Sequence, residues 1–285
     1  MATTMLNDII NPEVMGDMIE AKIPHMLKFT PFAKVDTSLV GVPGDTKTVP
    51  SWNFIGAAED LTEDGELTPK KLTAASTEFK IKCAGQSVGV SQKSINSGLG
   101  DPIGQAETQL AKSIAVKVDA DVLAALLTAE QTYDGSAAVI KYSGVVDAVG
   151  VLNEEEITDK VMFVNPAQIT ALRKDSEFMD KNKYGNDVMV SGEIGMIAGV
   201  RIVPTNQIVA ADGKYVCPLV KLEAASKDTE YTEDELPAVT IFLKADTQVD
   251  HEWFPKRQVH DVTATKYYGA ALTNAAKVVL ATFKA

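Results

Sequence analysis

A chain of 285 residues, 45% of them hydrophobic, can bury one large core or two modest ones. Its formal charge of −12 excludes a surface that grips nucleic acid throughout, because affinity for phosphates comes from clustered Lys and Arg. An acidic balance suits a container that encloses a polyanion without trapping it, and equally suits plain solubility.

No stretch reaches the roughly 18 uninterrupted apolar residues of a membrane span. Met1 to Asn11 has neither a basic nor an apolar region of signal-peptide type, so synthesis in the cytosol is expected. Pro12, Pro24, Pro31 and Pro43 interrupt the first part of the chain. Between them Glu13 to Ile23 fits about three helical turns, with Val14, Met18 and Ile23 on one side. This reads as an arm, whose apolar residues need a surface to lie on, either the chain's own body or a neighbour.

From Thr46 to Val90 the signal changes to strands. Thr48 to Ile55 is rich in β-branched and aromatic residues, and Phe79, Ile81 and Cys83 alternate with Glu78, Lys80 and Lys82. The polar stretch between them, with Asp64-Gly65 and Pro69, predicts a long two-stranded hairpin with a wide tip. Its outgoing side carries Glu59, Asp60, Glu63, Asp64 and Glu66, and its return carries Lys70, Lys71, Lys80 and Lys82. Such a ribbon is marginal alone and is expected to rest on another surface; the alternative is a solvated loop with ordinary surface charges.

Gly100-Asp101-Pro102 opens the clearest element, with Asp101 as cap and Pro102 at the first helical position. Ala106, Leu110, Ile114, Val118, Val122 and Leu126 recur at spacing four, predicting one helix of roughly 40 Å that stops before Asp134-Gly135. Helix-like Tyr142 to Leu152, strand-like Val161 to Val164 and a short helix capped by Asn165-Pro166 follow, and then strands at Val200 to Val203 and Tyr215 to Val220. Glu223 to Pro237 reads as a charged loop. Strands at Val239 to Leu243, Thr247 to Trp253, Gln258 to Tyr268 and Lys277 to Phe283 complete an α+β chain with two subdomains.

Catalytic signals are few. Gly85-Gln86-Ser87-Val88-Gly89 matches the nucleophile elbow of serine hydrolases, but that motif needs a helix directly after the serine, and here the sequence continues Val90-Ser91-Gln92. Ser87 is read instead as a residue of a half-exposed strand whose glycines allow close backbone approach. His251 and His260 lie nine apart, which along one strand sets them on opposite faces, so a shared metal site needs a bend between them. The runs Glu154-Glu155-Glu156 and Glu233-Asp234-Glu235 read as solvated turns. Cys83 and Cys217 lack CxxC spacing and read as small buried hydrophobes. Gly192-Glu193-Ile194-Gly195 has no phosphate-cradle spacing. No catalytic residue, cofactor or metal is expected.

The order of arm, long hairpin, long helix, α/β region and returning strands resembles the Hong Kong 97-type major capsid proteins of tailed phages. Local stretches resemble that family too: Ile10-Asn11-Pro12-Glu13-Val14, Gly44-Asp45-Thr46-Lys47-Thr48-Val49-Pro50, Ala58-Glu59-Asp60-Leu61, Gly98-Leu99-Gly100-Asp101-Pro102, Ser191-Gly192-Glu193-Ile194-Gly195 and Gly199-Val200-Arg201-Ile202-Val203. The resemblance implies an N-terminal arm at 1–30 and an extended hairpin loop at 46–84. It implies a peripheral domain, with the long helix as its spine, at 31–45, 85–135 and 238–268, and an axial domain at 136–237 and 269–285. It implies a non-enzymatic subunit that forms hexamers and pentamers of an icosahedral phage head around double-stranded DNA, assembled in the bacterial cytoplasm. The expected partners are further copies of the chain, a separate scaffolding protein, since the chain starts near the arm, a portal protein, and DNA through weak non-specific contact.

Candidate contacts between subunits are Trp52, Phe54, Glu59, Asp60, Glu63, Asp64, Glu66, Lys70 and Lys71. Some relatives weld the shell by a lysine–asparagine isopeptide bond, for which Lys70 or Lys71 is the candidate donor; similar shells often do without it. An encapsulin-type nanocompartment shell is the nearest alternative, and the proline-broken start favours the phage reading. A tail or decoration subunit should lack the long helix. The alternative of another class is a serine hydrolase using Ser87.

Overall fold

The computed structural model describes residues 27–52, 69–71, 74–97, 101–154, 158–174, 196–222 and 236–285. The arm expected before residue 27, the hairpin tip with Phe54 and all five of its acidic residues, the stretch 192–195 and most of the charged loop lie outside them. In chain order the strands are β1 (Lys34–Asp36), β2 (Thr46–Trp52), β3 (Ala74–Lys80), β4 (Lys82–Ser91), β5 (Thr132–Val139) and β6 (Lys160–Val164). After these come β7 (Met196–Ile197), β8 (Val200–Pro204), β9 (Lys214–Lys221), β10 (Val239–Phe254), β11 (Val259–Leu272) and β12 (Val278–Lys284). The helices are α1 (Gln92–Ser97), α2 (Pro102–Leu126), α3 (Tyr142–Gly150) and α4 (Pro166–Arg173).

α2 begins as its sequence dictates. The Asp101 carboxylate accepts the Ile103 N–H at 3.2 Å, and Pro102 fills a position whose N–H would have had no helical acceptor. Every member of the spacing-four row from Ala106 to Leu126 is buried. The helix ends earlier than expected, however, and Asp134-Gly135 lie inside β5. The Thr128 hydroxyl donates to the Ala125 carbonyl at 2.7 Å, taking an acceptor from the last turn, and Thr132-Tyr133 then favour an extended chain.

α2 packs on a four-stranded sheet of order β1-β10-β11-β4, in which β1 runs parallel to β10 and the other pairs are antiparallel. The two strands expected at Val239 to Leu243 and Thr247 to Trp253 are one continuous strand, β10. Register shifts between Leu243 and Gln248 absorb the interruption as bulges, which bend the strand without ending it.

A second, six-stranded sheet has the order β5-β12-β9-β6-β8-β7. All five residues of its β6 are buried: the apolar run Val161 to Val164 as a doubly covered strand requires, and Lys160 at its start against Glu154. Val161 and Phe163 join the core that contains α2 and the four-stranded sheet, whereas Met162 and Val164 join a second core with Val145 and Ala148 of α3 and Leu172 of α4. β12 alternates likewise, Val278 and Leu280 toward the first core and Val279, Ala281 and Phe283 toward the second.

Asp119, fully buried in α2, fastens three parts of the chain. Its Oδ1 accepts the N–H groups of Phe29 at 2.9 Å and Thr30 at 2.8 Å and the Thr30 hydroxyl at 2.8 Å. Its Oδ2 accepts the Lys28 N–H at 3.0 Å and the Gln207 amide at 2.8 Å. Asp119→Ala should lower stability by about 3 kcal/mol or more, because several buried donors lose their acceptor together. Asp119→Asn should recover only part, since its NH2 faces donors. Urea unfolding of the three proteins checks this order.

Candidate functional site, the hairpin and its root

β2 and β3 pair in antiparallel register from Thr46 opposite Lys80 to Trp52 opposite Ala74, so the expected hairpin forms. Its root is fixed to the four-stranded sheet. The Ile81 N–H donates to the Asp45 carbonyl at 2.7 Å, and the Lys244 ammonium donates to the Gly44 carbonyl. The Phe79 ring stacks on Phe242 with centroids 5.7 Å apart. Lys47 donates to the Ser38 hydroxyl at 2.8 Å and stands 3.9 Å from the Asp36 carboxylate. β3 passes so close over β11 that a Cβ at Gly269 would lie 2.9 Å from the Lys80 carbonyl oxygen. Sequence reasoning passed over Gly269; a glycine within a strand pattern was the signal that marks such an approach.

Beyond the root the ribbon is a two-stranded sheet of its own among the described residues. Trp52 stands at the outer end of the described register. Lys70 and Lys71 are exposed. The ribbon springs from an edge where β1 presents the half-exposed Val35, next to exposed Val40 and Val42, beside an open groove floored by Thr240 and Phe242.

The lysines expected on the return side divide into two groups. Lys80 is exposed and stays in the ribbon, but Lys82 belongs to β4, and its ammonium lies 2.7 Å from the Asp121 carboxylate of α2. Asp121 also meets Lys117 at 3.2 Å and accepts the Tyr268 hydroxyl. Burial raises the Asp121 carboxyl, yet the hydrogen bonds from Lys82, Tyr268 and Lys117 outweigh it and hold the group below the usual range. Burial first, and Asp121 second, push the Tyr268 phenol up. Lys82 therefore ties β4 to α2 within one subunit.

The remaining candidates fall elsewhere. Ser87 sits in the middle of β4, opposite Thr263, whose hydroxyl donates to it at 3.2 Å. The next helix begins five residues on, at Gln92, so no strained strand-to-helix turn exposes this serine as a nucleophile. Gly85 and Gly89 flank it in tight spaces, with ideal Cβ positions 3.2 Å from the Thr265 methyl and 2.8 Å from an Asp261 oxygen.

Cys217 is buried as expected, its thiol donating to the Gln168 amide oxygen at 3.0 Å and pushed up to about 12 by burial. Cys83 corrects the reading, being exposed: alternation sets it on the outer side of β4 with Ser87. His251 and His260 do meet, because a turn at 255–258 folds their strands together; among the described residues no group of three or more metal-ligating side chains forms around them.

Glu154 corrects a further expectation, since it is no solvated turn residue. Its carboxylate meets the buried Lys160 at 2.5 Å and Lys221 at 3.1 Å and accepts the Thr158 hydroxyl at 3.1 Å. Glu155, Glu156 and the run Glu233 to Glu235 lie outside the described residues.

Comparison with known proteins decides what the hairpin and its root belong to. Residues 74–281 match the profile of a family described as phage capsid protein. The chain belongs to the phage capsid protein family. It is 35% identical to the major capsid protein of Staphylococcus phage phiMR11 over 210 residues, 73% of this chain and 76% of that one. Among solved structures, the capsid of an empty GTA particle superposes with a TM-score of 0.71 at 15% identity, covering 91% of this chain and 90% of that one. The Cyanophage Pam1 capsid superposes with a TM-score of 0.70 at 15% identity, covering 90% and 92%. The fold is thus α+β of the Hong Kong 97-like type, and the chain is a structural shell protein of the virion, the major capsid protein of a tailed phage. Neither the encapsulin reading nor the hydrolase reading finds support.

Burial raises the Glu154 carboxyl, but Lys160 and Lys221 more than offset it and hold the group low. A carboxylate held low stabilises the fold above its unfolded value near 4.5, and this contribution is lost as pH falls through the lower folded value. Glu154→Gln should therefore cost about 3 kcal/mol at pH 7, where Lys160 loses its partner, and less at pH 4. Urea midpoints at the two pH values measure the difference; an equal cost at both would assign it to packing instead.

Proposed function

We propose that this chain closes the head of a tailed phage by binding copies of itself as hexamers and pentamers, with its hairpin laid across a neighbouring subunit. The observation that carries this is the contrast within the hairpin. Its root is held to its own subunit by hydrogen bonds, an aromatic stack and a glycine contact, while the described ribbon beyond pairs only with itself. A two-stranded ribbon of that kind gains its stability from a second surface. Heterologous contacts repeated around closed rings supply one on every subunit.

In this reading residues 1–30 are the arm and 46–84 the extended loop. The peripheral domain takes 31–45, 85–135 and 238–268, and the axial domain takes 136–237 and 269–285. Two separate sheets, one of four strands and one of six, support such a division, and the first core packs between them. Trp52, Phe54, the acidic residues Glu59, Asp60, Glu63, Asp64 and Glu66, and Lys70 and Lys71 meet complementary groups on neighbours. The subunit performs no catalysis. It is made in the bacterial cytoplasm and works there with a separate scaffolding protein and a portal protein, and its net charge of −12 keeps contact with packaged double-stranded DNA weak.

Negative-stain electron microscopy of the purified chain, alone and with a candidate scaffolding protein, should show closed shells, tubes or isolated rings; a monodisperse monomer under every condition overturns the reading. In the same assay, charge reversal at Lys70 and Lys71 together should reduce shell yield at least about tenfold, the effect of 1.4 kcal/mol at one contact. Unimpaired shells from that variant would show that the two lysines face solvent. Particles that dissociate fully to monomers in boiling detergent exclude an isopeptide weld at either lysine.

A further inference from the structure

The far end of the β10–β11 ribbon carries two of the three histidines of the chain. Trp253 stands opposite His260 and His251 opposite Val262, so these side chains share the sheet face that farther along carries the buried Ala264. His251 Nε2 lies 2.9 Å from His260 Nδ1, and His260 Nε2 lies 2.8 Å from Gln92 Oε1 at the start of α1. The Gln92 amide is oriented by its own donation to Asn96 Oδ1 at 2.9 Å.

These contacts fix the protons. An amide oxygen only accepts, so His260 Nε2 is the donor; in a neutral ring its Nδ1 is then bare and accepts from His251 Nε2. Donation runs in one direction, from His251 through His260 and Gln92 to Asn96. The imidazoles are inclined by 6° with centroids 4.9 Å apart, meeting edge to edge, and the Trp253 indole lies 4.2 Å from the His260 ring. The Gln92 N–H also binds the Gln258 carbonyl at 2.9 Å, which ties the turn of the ribbon to the same residue.

One added proton leaves the row intact, because a His251 protonated at Nδ1 still donates from Nε2. A second must go to His260 Nδ1, where an N–H would face an N–H and two cations would stand 2.9 Å apart. Other charges do not offset this. Asp250, Glu252 and Asp261 alternate to the opposite face of their strands. α1 presents Gln92 and Asn96 to the row, and Lys93, Lys256 and Arg257 are exposed.

We propose that His251, His260 and Gln92 form a proton-operated latch that fastens the far end of the β10–β11 ribbon to α1, closed at neutral pH and opened by the second proton. Burial first, and the charge of His251 second, hold His260 below the ordinary imidazole value. His260 therefore stays neutral in the folded chain where it would already be protonated in the unfolded one, and the latch loses stability as pH falls below about 6.5. Opening changes the presentation of Trp253, which is 39% exposed. The latch stands on contacts within one subunit and does not depend on how the shell is built.

The test uses the full chain with Trp52→Phe, which leaves Trp253 as its one tryptophan. Quenching of its fluorescence by acrylamide is measured from pH 8 to pH 5, with far-UV circular dichroism alongside. Quenching should rise roughly twofold, with a midpoint below about 6.5 and unchanged secondary structure, as a local opening requires. The transition should vanish in His251→Gln and in His260→Gln and persist in His25→Gln. If either histidine variant loses its fold, Gln92→Leu decides, since it keeps both imidazoles and removes their acceptor on α1; it too should abolish the transition. A flat profile in the parent protein, or a transition that survives the loss of either histidine or of Gln92, overturns the latch.

Discussion

The structure depends first on one buried carboxylate. Among the described residues no ion pair neutralises Asp119; five donors from two separate parts of the chain satisfy its carboxylate instead. Three of them are consecutive backbone N–H groups of residues 28–30, so the carboxylate holds the main chain itself at the point where the N-terminal segment reaches the body. Gln207 brings in the loop that follows β8 of the six-stranded sheet. A charge so placed is costly to bury and more costly to leave half-satisfied, which makes the arrangement specific as well as stable. Phe29, set by this contact, then packs tilted against Phe163 in β6, with ring centroids 4.4 Å apart, and closes the shared core.

From that junction two kinds of surface follow. The body is covered on both sides of its six-stranded sheet, with an apolar core on each face. The far end of the β10–β11 ribbon instead reaches outward, with Asp250, His251, Glu252 and Trp253 exposed, and the described part of the hairpin leaves as a two-stranded sheet of its own. A shell protein needs both, a body that keeps its shape in every ring and extensions that add burial only when neighbours are present. The acidic total charge disfavours tight adsorption to nucleic acid.

Much of this was legible in the residues. The spacing-four row of α2, the Asp101-Pro102 start, the Asn165-Pro166 cap and the apolar run of β6 are local signals, and they formed as read. The failures share a physical cause, a long-range partner that overrides a local pattern. Glu154 looks like one member of a charged run until Lys160 and Lys221 close on it. Cys83 looks like a core residue until its neighbours in β4 place it on the outer side. His251 and His260 seem to lie on opposite faces until the turn after Phe254 folds one strand against the other. Asp119 carried no signal of its importance, because the groups it meets are about 90 residues away in sequence, and Gly269 carried only the weak one of a glycine in a strand pattern. The arm before residue 27 and the acidic hairpin tip lie outside the described residues and remain expectations of the sequence.

The way the hairpin is attached also sets its mechanics. Seven residues of strand reach about 23 Å from the root to the end of the described register, at the usual rise per residue. A ribbon clamped at one end is a lever, and a rotation of about 10° at Gly269 and Phe79 would carry its far end about 4 Å sideways, a displacement that follows from that length alone. The five- and six-membered rings of the proposed shell would demand small differences in tilt between otherwise identical bodies. A stiff body with a lever at its edge can meet them by turning at the root, leaving both cores and the Asp119 junction as they are.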